Sequence, residues 1–116
     1  MAYGSTIFKV EDWQGEEICL TQQDWDRIVA KRPGVEGYVE AIRLTLERPT
    51  FVYEGRYADS KVFYKRRLLD NDPLYKGCYV AVVVRYIVGS PGSLRTVYFP
   101  YNVQGALGNV LHINAD

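Results

Sequence analysis

CYVAVVVRYIVGSPGSLRTVYF, residues 78–99, is the most strongly patterned part of the chain and sets its fold class. The segment from Cys78 to Val88 is almost continuously apolar and rich in β-branched residues, which is typical of a central strand covered on both faces. Turn-forming residues follow at positions 89–93, and the chain is again strand-like from Leu94 to Phe99. These features predict two adjacent antiparallel strands.

Two helices are predicted before these strands. The first begins at Thr21, whose hydroxyl can accept a hydrogen bond from a backbone N–H of the first turn, and it ends at Pro33. The second covers residues 35–46 and ends before Pro49. In both segments apolar residues recur every three or four positions, as expected of helices that bury one face.

The other strand patterns are shorter. Residues 51–53 and 62–64 are rich in β-forming residues and are separated by turn residues, which predicts a hairpin. Residues 6–10 and 17–20 are further short strand candidates.

The order of these patterns predicts an α+β fold in a single domain over residues 1–116. In this fold two N-terminal helices pack on a mainly antiparallel sheet of about four strands. The core is expected at residues 17–101. Residues 102–116 are expected to form a tail, which is a loop, a short strand or an edge addition.

The charges are balanced overall but unevenly distributed. The chain has 14 basic and 14 acidic residues, which argues against bulk electrostatic attraction to nucleic acid or membranes. Residues 1–30 carry a net charge of −4, whereas residues 56–95 carry +5. A local basic surface can bind anions or phosphates, although a solvated strand face is the commoner cause of such a pattern.

Several kinds of protein and site are disfavoured by the sequence. No apolar run approaches the roughly 20 residues that cross a bilayer, and the N-terminus lacks the features of a secretory signal, so we expect a cytoplasmic protein without a membrane partner. Cys19 and Cys78 lie in apolar segments without metal-ligand spacing. The single histidine, His112, lies in the tail, and no glycine-rich phosphate loop is present. We therefore expect no metal and no cofactor.

Tyrosine, arginine, lysine and threonine residues on the predicted strands are the remaining candidates for chemistry. Strand alternation places Val62, Tyr64 and Arg66 on one face and Phe63, Lys65 and Arg67 on the other. On the later strand, Leu94, Thr96 and Tyr98 alternate with Arg95, Val97 and Phe99. Arginine can hold a phosphate with two hydrogen bonds, and tyrosine can stack on a base or transfer a proton.

On composition alone, a structural explanation of these residues is favoured. Tyrosine is a good strand residue whose hydroxyl reaches water at a sheet edge, and arginine and lysine commonly cover an exposed face. Arg32 also has such an explanation, because a cation in the last turn of a helix complements the helix dipole.

Six segments within residues 17–101, taken in order, carry a resemblance to a known family. They are ICLTQQDWDRIVAKRP (18–33), YVEAIRLTLERP (38–49), VYE (52–54), FYKR (63–66), YVAVVV (79–84) and TVY (96–98). This arrangement resembles small bacterial and phage-associated proteins of the barnase/EndoU/colicin/RelE-like nuclease superfamily. The resemblance implies two helices packed on a four-stranded antiparallel sheet, with metal-independent RNA cleavage along the sheet face.

The resemblance also implies roles for individual residues. Arg32 and Arg66 would stabilise the phosphate, Tyr64 or Tyr98 would transfer a proton or stack on a base, and Lys65 and Thr96 would assist binding. The family commonly has a histidine where this chain has Arg32. Because arginine keeps its proton, it cannot replace that histidine as a general base.

Two hypotheses of different classes follow. The first is a metal-independent endoribonuclease, a toxin-like or phage-related effector whose partner is RNA. The second is a catalytically silent binding domain with the same fold, which captures a protein partner, an inhibitor or a nucleic acid without turnover. An enzyme requires that Arg32, Tyr64, Arg66, Thr96 and Tyr98 converge in one cleft, whereas a silent domain does not.

Overall fold

The computed structural model describes residues 5–57, 59–103 and 108–114. Within them the chain forms two α-helices and one mostly antiparallel sheet of seven strands. The elements are β1 Thr6–Glu11, β2 Glu17–Thr21, α1 Gln22–Lys31, α2 Val39–Glu47, β3 Phe51–Glu54, β4 Ser60–Lys65, β5 Val80–Arg85, β6 Gly92–Tyr98 and β7 Val110–Ile113. The α+β class and the mainly antiparallel sheet are confirmed, whereas the expected number of about four strands is too low.

The strands lie in the order β1-β2-β6-β5-β4-β3-β7. The four central strands are joined by three antiparallel pairings, β3 with β4, β4 with β5 and β5 with β6. The first and the last of these are the pairs that the turn signals predict. On one side β2 joins β6 in parallel, and on the other side β7 pairs with β3. The sheet therefore extends beyond residues 17–101 at both ends. Strand β1 had been a strand candidate, whereas β7 was hard to recognise because its partner β3 lies far away in the sequence.

The two helices follow the predicted pattern with one shift in boundary. Thr21 Oγ1 accepts a hydrogen bond from the Asp24 N–H at 3.1 Å, so α1 begins where expected. Helix α2 begins at Val39 instead of at position 35, because Gly37 has a φ of 94° and interrupts helical geometry. Residues Pro33–Val35 form a 3₁₀ turn instead. Neither of the helices in the described part of the chain is long and apolar enough to cross a membrane.

Both helices pack on the same face of the sheet. Helix α2 contacts β1, β4 and β5, and α1 contacts β2 and β6. Fully buried residues of this core include Ile42 and Leu46 from α2 and Phe63, Val82 and Val97 from the strands. Side chains that alternate with these strand residues lie on the opposite face of the sheet.

A β-bulge in β6 changes which face of the sheet its side chains point to. Val83 pairs with Thr96 and Val84 pairs with Leu94, so Arg95 is an extra residue between two register positions. Strict alternation places Leu94 on the same face as Thr96, and that expectation is wrong. Leu94 is fully buried in the helix-side core, whereas Thr96 lies on the opposite face.

Helix α1 lies beside the part of β6 that is no longer paired with β2. Strands β2 and β6 pair through two residues each. The Arg27 guanidinium donates to the carbonyl of Leu94 at 3.1 Å and to that of Arg95 at 3.3 Å. Because these contacts hold α1 against β6, the residue that ends the helix, Arg32, lies close to the C-terminal end of that strand.

Candidate functional site

A cleft of about 830 Å³ opens on the sheet face that the helices leave uncovered. Side chains of β4, β5 and β6 form its floor, and its rim includes the end of α1 and the connection between β3 and β4. We call it the arginine cleft. Its described lining residues are Arg32, Arg56, Tyr57, Asp59, Ser60, Val62, Tyr64, Val83, Arg85, Arg95, Thr96 and Tyr98.

The structure brings four of the predicted site residues together in this cleft: Arg32, Tyr64, Thr96 and Tyr98. Lys65 and Arg66 do not line it. Lys65 follows Tyr64 in β4 and therefore points to the other face of the sheet. Arg66 lies beyond the end of β4, where its N–H donates to Thr50 Oγ1 at 3.2 Å. Arg67 then has a φ of 74°, so the backbone no longer has the extended conformation of a strand.

Tyr64 and Tyr98 form a hydroxyl pair at the floor of the cleft. Their oxygens lie 3.4 Å apart, at the long end of hydrogen-bond distances. Tyr64 is only 2% exposed, and the rings of Tyr53 and Tyr79 meet it edge to face. Burial, followed by the hydrogen bond with Tyr98, raises the pKa of Tyr64. The Tyr64 phenol therefore keeps its proton at neutral pH and can act as a hydrogen-bond donor.

Arg32 lies at the rim beside Tyr98. Its guanidinium carbon is 5.8 Å from the centre of the Tyr98 ring, within the range of a cation–π contact. The backbone N–H of Arg32 caps α1 by donating to the Ile28 carbonyl at 2.9 Å. Capping thus uses the main chain, while the exposed side chain contributes a positive charge to the cleft.

Three arginines that were not among the site residues predicted from the sequence also line the cleft: Arg56, Arg85 and Arg95. Arg85 interrupts the apolar run of β5 and lies two positions after a floor residue, so alternation could have placed it on this face. Arg95 is the extra residue of the bulge in β6, which strand alternation does not predict. Arg56 lies in the connection between β3 and β4, and no local sequence pattern predicts which way that connection points. With Arg32 and Asp59, the charged lining residues carry a net charge of +3.

Asp59 is the only carboxylate among the described lining residues, and it is already paired. Its Oδ2 accepts a hydrogen bond from Arg85 Nε at 2.8 Å. This bond is the main reason why the pKa of Asp59 lies below its ordinary value. An ionised, paired carboxylate of this kind is a weak proton acceptor.

The histidine and the cysteines lie outside the described cleft. His112 is on the helix side of the sheet, where its ring centre is 5.6 Å from that of Trp13. Cys78 is buried, and Cys19 lies 3.9 Å from Thr6 Oγ1. Within residues 5–57, 59–103 and 108–114, no group of three histidine, cysteine, aspartate or glutamate residues could hold a metal ion.

Comparisons with protein-family models, with curated proteins and with solved structures found no match for this chain. The resemblance to the nuclease superfamily stays a prediction. The geometry and charge of the arginine cleft are therefore the basis for a functional proposal.

Proposed function

We propose that the chain is an RNA-binding domain that holds single-stranded RNA in the arginine cleft. One observation carries the proposal: four arginines from separate elements surround a single tyrosine-lined cleft with a net charge of +3. The whole chain is neutral, so this charge is a local feature. Such a surface attracts an anion to one place without binding nucleic acid over the whole molecule.

The side chains in the cleft match the two parts of a nucleotide. Guanidinium groups hold phosphate oxygens with paired, charge-assisted hydrogen bonds. Tyr98 and Tyr57 offer aromatic rings to a base, and Tyr57 is 68% exposed at the rim. Because stacking on a ring requires an unpaired base, the cleft favours a single strand over a duplex.

Binding is a better fit to the cleft than cleavage. For cleavage, the ribose 2′-hydroxyl must lose a proton as it attacks the adjacent phosphorus, and a general base normally accepts that proton. Arginine and un-ionised tyrosine cannot accept it, and Asp59 is paired with Arg85. Arg32 occupies the position where the resemblance expects a histidine.

Metal-independent RNA cleavage is the second candidate, because the Tyr64–Tyr98 hydroxyl pair lies beside Arg32. In that reaction the 2′-oxygen would bond to phosphorus while the bond from phosphorus to the 5′-oxygen breaks. Water would take the 2′-proton, Tyr98 would protonate the departing 5′-oxygen, and Arg32 would stabilise the extra charge on the phosphate.

Binding is tested by fluorescence anisotropy with labelled single-stranded RNA in excess EDTA. We expect Arg32→Gln and Arg95→Gln each to weaken binding roughly tenfold, because each removes a charged hydrogen-bond donor. Each variant should also reduce the slope of log affinity against log salt by about 0.7 for each lost phosphate contact. Arg48→Gln is the matched control, since Arg48 is an exposed arginine outside the cleft. Equal losses in all three variants would contradict the proposal.

Cleavage is tested on the same mixtures by denaturing electrophoresis. Intact RNA at full binding supports the silent domain. RNA cleavage that Tyr98→Phe abolishes, and that Arg66→Ala leaves unchanged, would instead establish the second candidate, because Arg66 lies outside the cleft.

A further inference from the structure

A second groove, of about 500 Å³, continues from the arginine cleft. Arg32 and Tyr98 line both cavities, so the two are neighbours across these side chains. We call the second cavity the aromatic groove. Its described lining residues are Lys31, Arg32, Gly34, Val35, Tyr75, Tyr98, Phe99 and Pro100.

The wall of the aromatic groove is a cluster of packed rings. Tyr75 and Phe99 meet edge to face with their centres 4.6 Å apart, and Tyr38 packs against both at 5.8 and 5.0 Å. Lys31 is exposed at the rim. Rings beside cations are the features that bind a base together with its phosphate.

Hydrogen bonds hold this wall in position. Asp72 Oδ1 accepts from the Tyr38 hydroxyl at 2.7 Å, and its Oδ2 accepts from the backbone N–H of Tyr75 at 2.8 Å. Gly34 leaves room for the Tyr75 hydroxyl, because a Cβ at position 34 would collide with it. A wall fixed in this way loses little side-chain freedom when a planar ligand packs on it.

We propose that the aromatic groove stacks a nucleobase of the same RNA strand whose phosphates lie in the arginine cleft. Arg32 lies at the junction of the cavities, in position to contact the phosphate that links the two parts of the strand. The site is therefore elongated and prefers an oligonucleotide to a dinucleotide. This inference rests on the proposed function, and it adds a second base-binding subsite beyond the rings of Tyr57 and Tyr98 in the arginine cleft.

The first test uses the unmodified protein and RNA of increasing length. A dinucleotide, a tetranucleotide and an octanucleotide of adenosine are compared by anisotropy with an octanucleotide that lacks bases in one half. Because the abasic strand keeps every phosphate, it separates stacking from charge. We expect the complete octanucleotide to bind at least about fivefold tighter than the abasic strand, from stacking of one base. Equal affinity of the two octanucleotides would overturn the inference.

The second test changes the groove. Tyr75→Leu removes one ring of the wall, and Leu74→Ala is its control, because Leu74 is 76% exposed and does not line the groove. Tyr75→Leu should reduce octanucleotide affinity about fivefold and leave dinucleotide affinity unchanged. Equal losses at both lengths would refute a separate subsite. If RNA binds but neither the missing bases nor Tyr75→Leu changes its affinity, only the inference about the aromatic groove is overturned. If no RNA binds at all, the proposed function is overturned as well.

Discussion

Asp12 is a buried carboxylate in the turn between β1 and β2. It is 5% exposed and accepts hydrogen bonds from the Tyr86 hydroxyl at 2.7 Å and from the N–H groups of Gln14 and Glu16 at 2.8 and 2.9 Å. A charge removed from water is tolerated when such partners satisfy it. Tyr86, the residue that follows β5, thereby connects the end of that strand to this turn.

Tyr86→Phe should lower the free energy of unfolding by about 1.5–3 kcal/mol, because it removes a hydrogen bond to a buried charge while the ring remains. Urea denaturation measures the change. Tyr101→Phe is the matched control, since Tyr101 is 72% exposed, and it should change stability by less than about 0.5 kcal/mol. Equal effects of the two substitutions would show that the bond from Tyr86 to Asp12 contributes nothing.

At the scale of elements, two residues in the left-handed backbone conformation lie at the end of β4 and before the start of α2. Arg67 has a φ of 74° just beyond β4, and Gly37 has a φ of 94° before α2. Glycine adopts this conformation without cost, whereas a residue with a Cβ is strained. The first position therefore carries strain, and the second does not.

Opposite substitutions at these positions should have opposite effects. Arg67→Gly is expected to raise the free energy of unfolding by about 0.5–1 kcal/mol, and Gly37→Ala to lower it by about 1 kcal/mol. No described atom lies within 4 Å of a Cβ at position 37, so the loss there comes from the backbone alone. Thermal denaturation of both variants measures the effects, and a loss of stability in Arg67→Gly would contradict this explanation.

At the scale of the whole molecule, ionisable groups limit stability at both ends of the pH range. The hydrogen bond from Tyr38 lowers the pKa of Asp72. The ionised carboxylate therefore stabilises the fold fully above about pH 4, and this stabilisation is lost as pH falls through the pKa of Asp72 in the folded state. The same bond is the main cause that raises the pKa of Tyr38 to about 12. Burial raises the pKa of Tyr64 and Tyr86 as well. Contributions from these tyrosines are complete below about pH 10 and are lost as pH rises further.

Tyr38→Phe should flatten both limbs of the stability profile, because it removes the bond that shifts Asp72 and Tyr38 in opposite directions. The acid limb should lose the part of the Asp72 contribution that comes from Tyr38 and keep the part that comes from the N–H groups of Leu74 and Tyr75. The alkaline limb should keep the contributions of Tyr64 and Tyr86. Urea denaturation across a pH series gives the profile, and phenolate absorbance reports tyrosine ionisation. If the profile of Tyr38→Phe runs parallel to that of the unmodified protein, the bond between Tyr38 and Asp72 does not shift their pKa values. Tyr101→Phe is the control, and its profile should match that of the unmodified protein.

Charge distribution links the whole molecule to the cleft. The basic region at residues 56–95 contains Arg56, Arg85 and Arg95, and the end of α1 adds Arg32. These arginines are far apart in the sequence, and the fold brings them around one cavity. The neutrality of the whole chain therefore does not reveal the positive charge of this cleft.

Local features of the sequence determined the element types and many side-chain orientations. The cap at Thr21, the turn at residues 89–93 and strand alternation around Tyr64 depend on neighbouring residues, and they correctly predicted α1, the β5–β6 pair and the facing of Tyr64. Arg32 was a candidate through the resemblance, which expects a histidine at its position, and not through a local pattern.

Tertiary structure alone decided the order of the strands in the sheet, the pairing of β7 with β3 and which residues line the cleft. Strand β7 depends on pairing with β3, which lies far away in the chain. Because of one bulged residue, Leu94 and Thr96 lie on opposite faces of the sheet. Strand β4 ends at Lys65, and Arg66 beyond it does not line the cleft. Element type follows from interactions between near neighbours, whereas register, bulges and convergence follow from contacts between distant segments that no local pattern specifies.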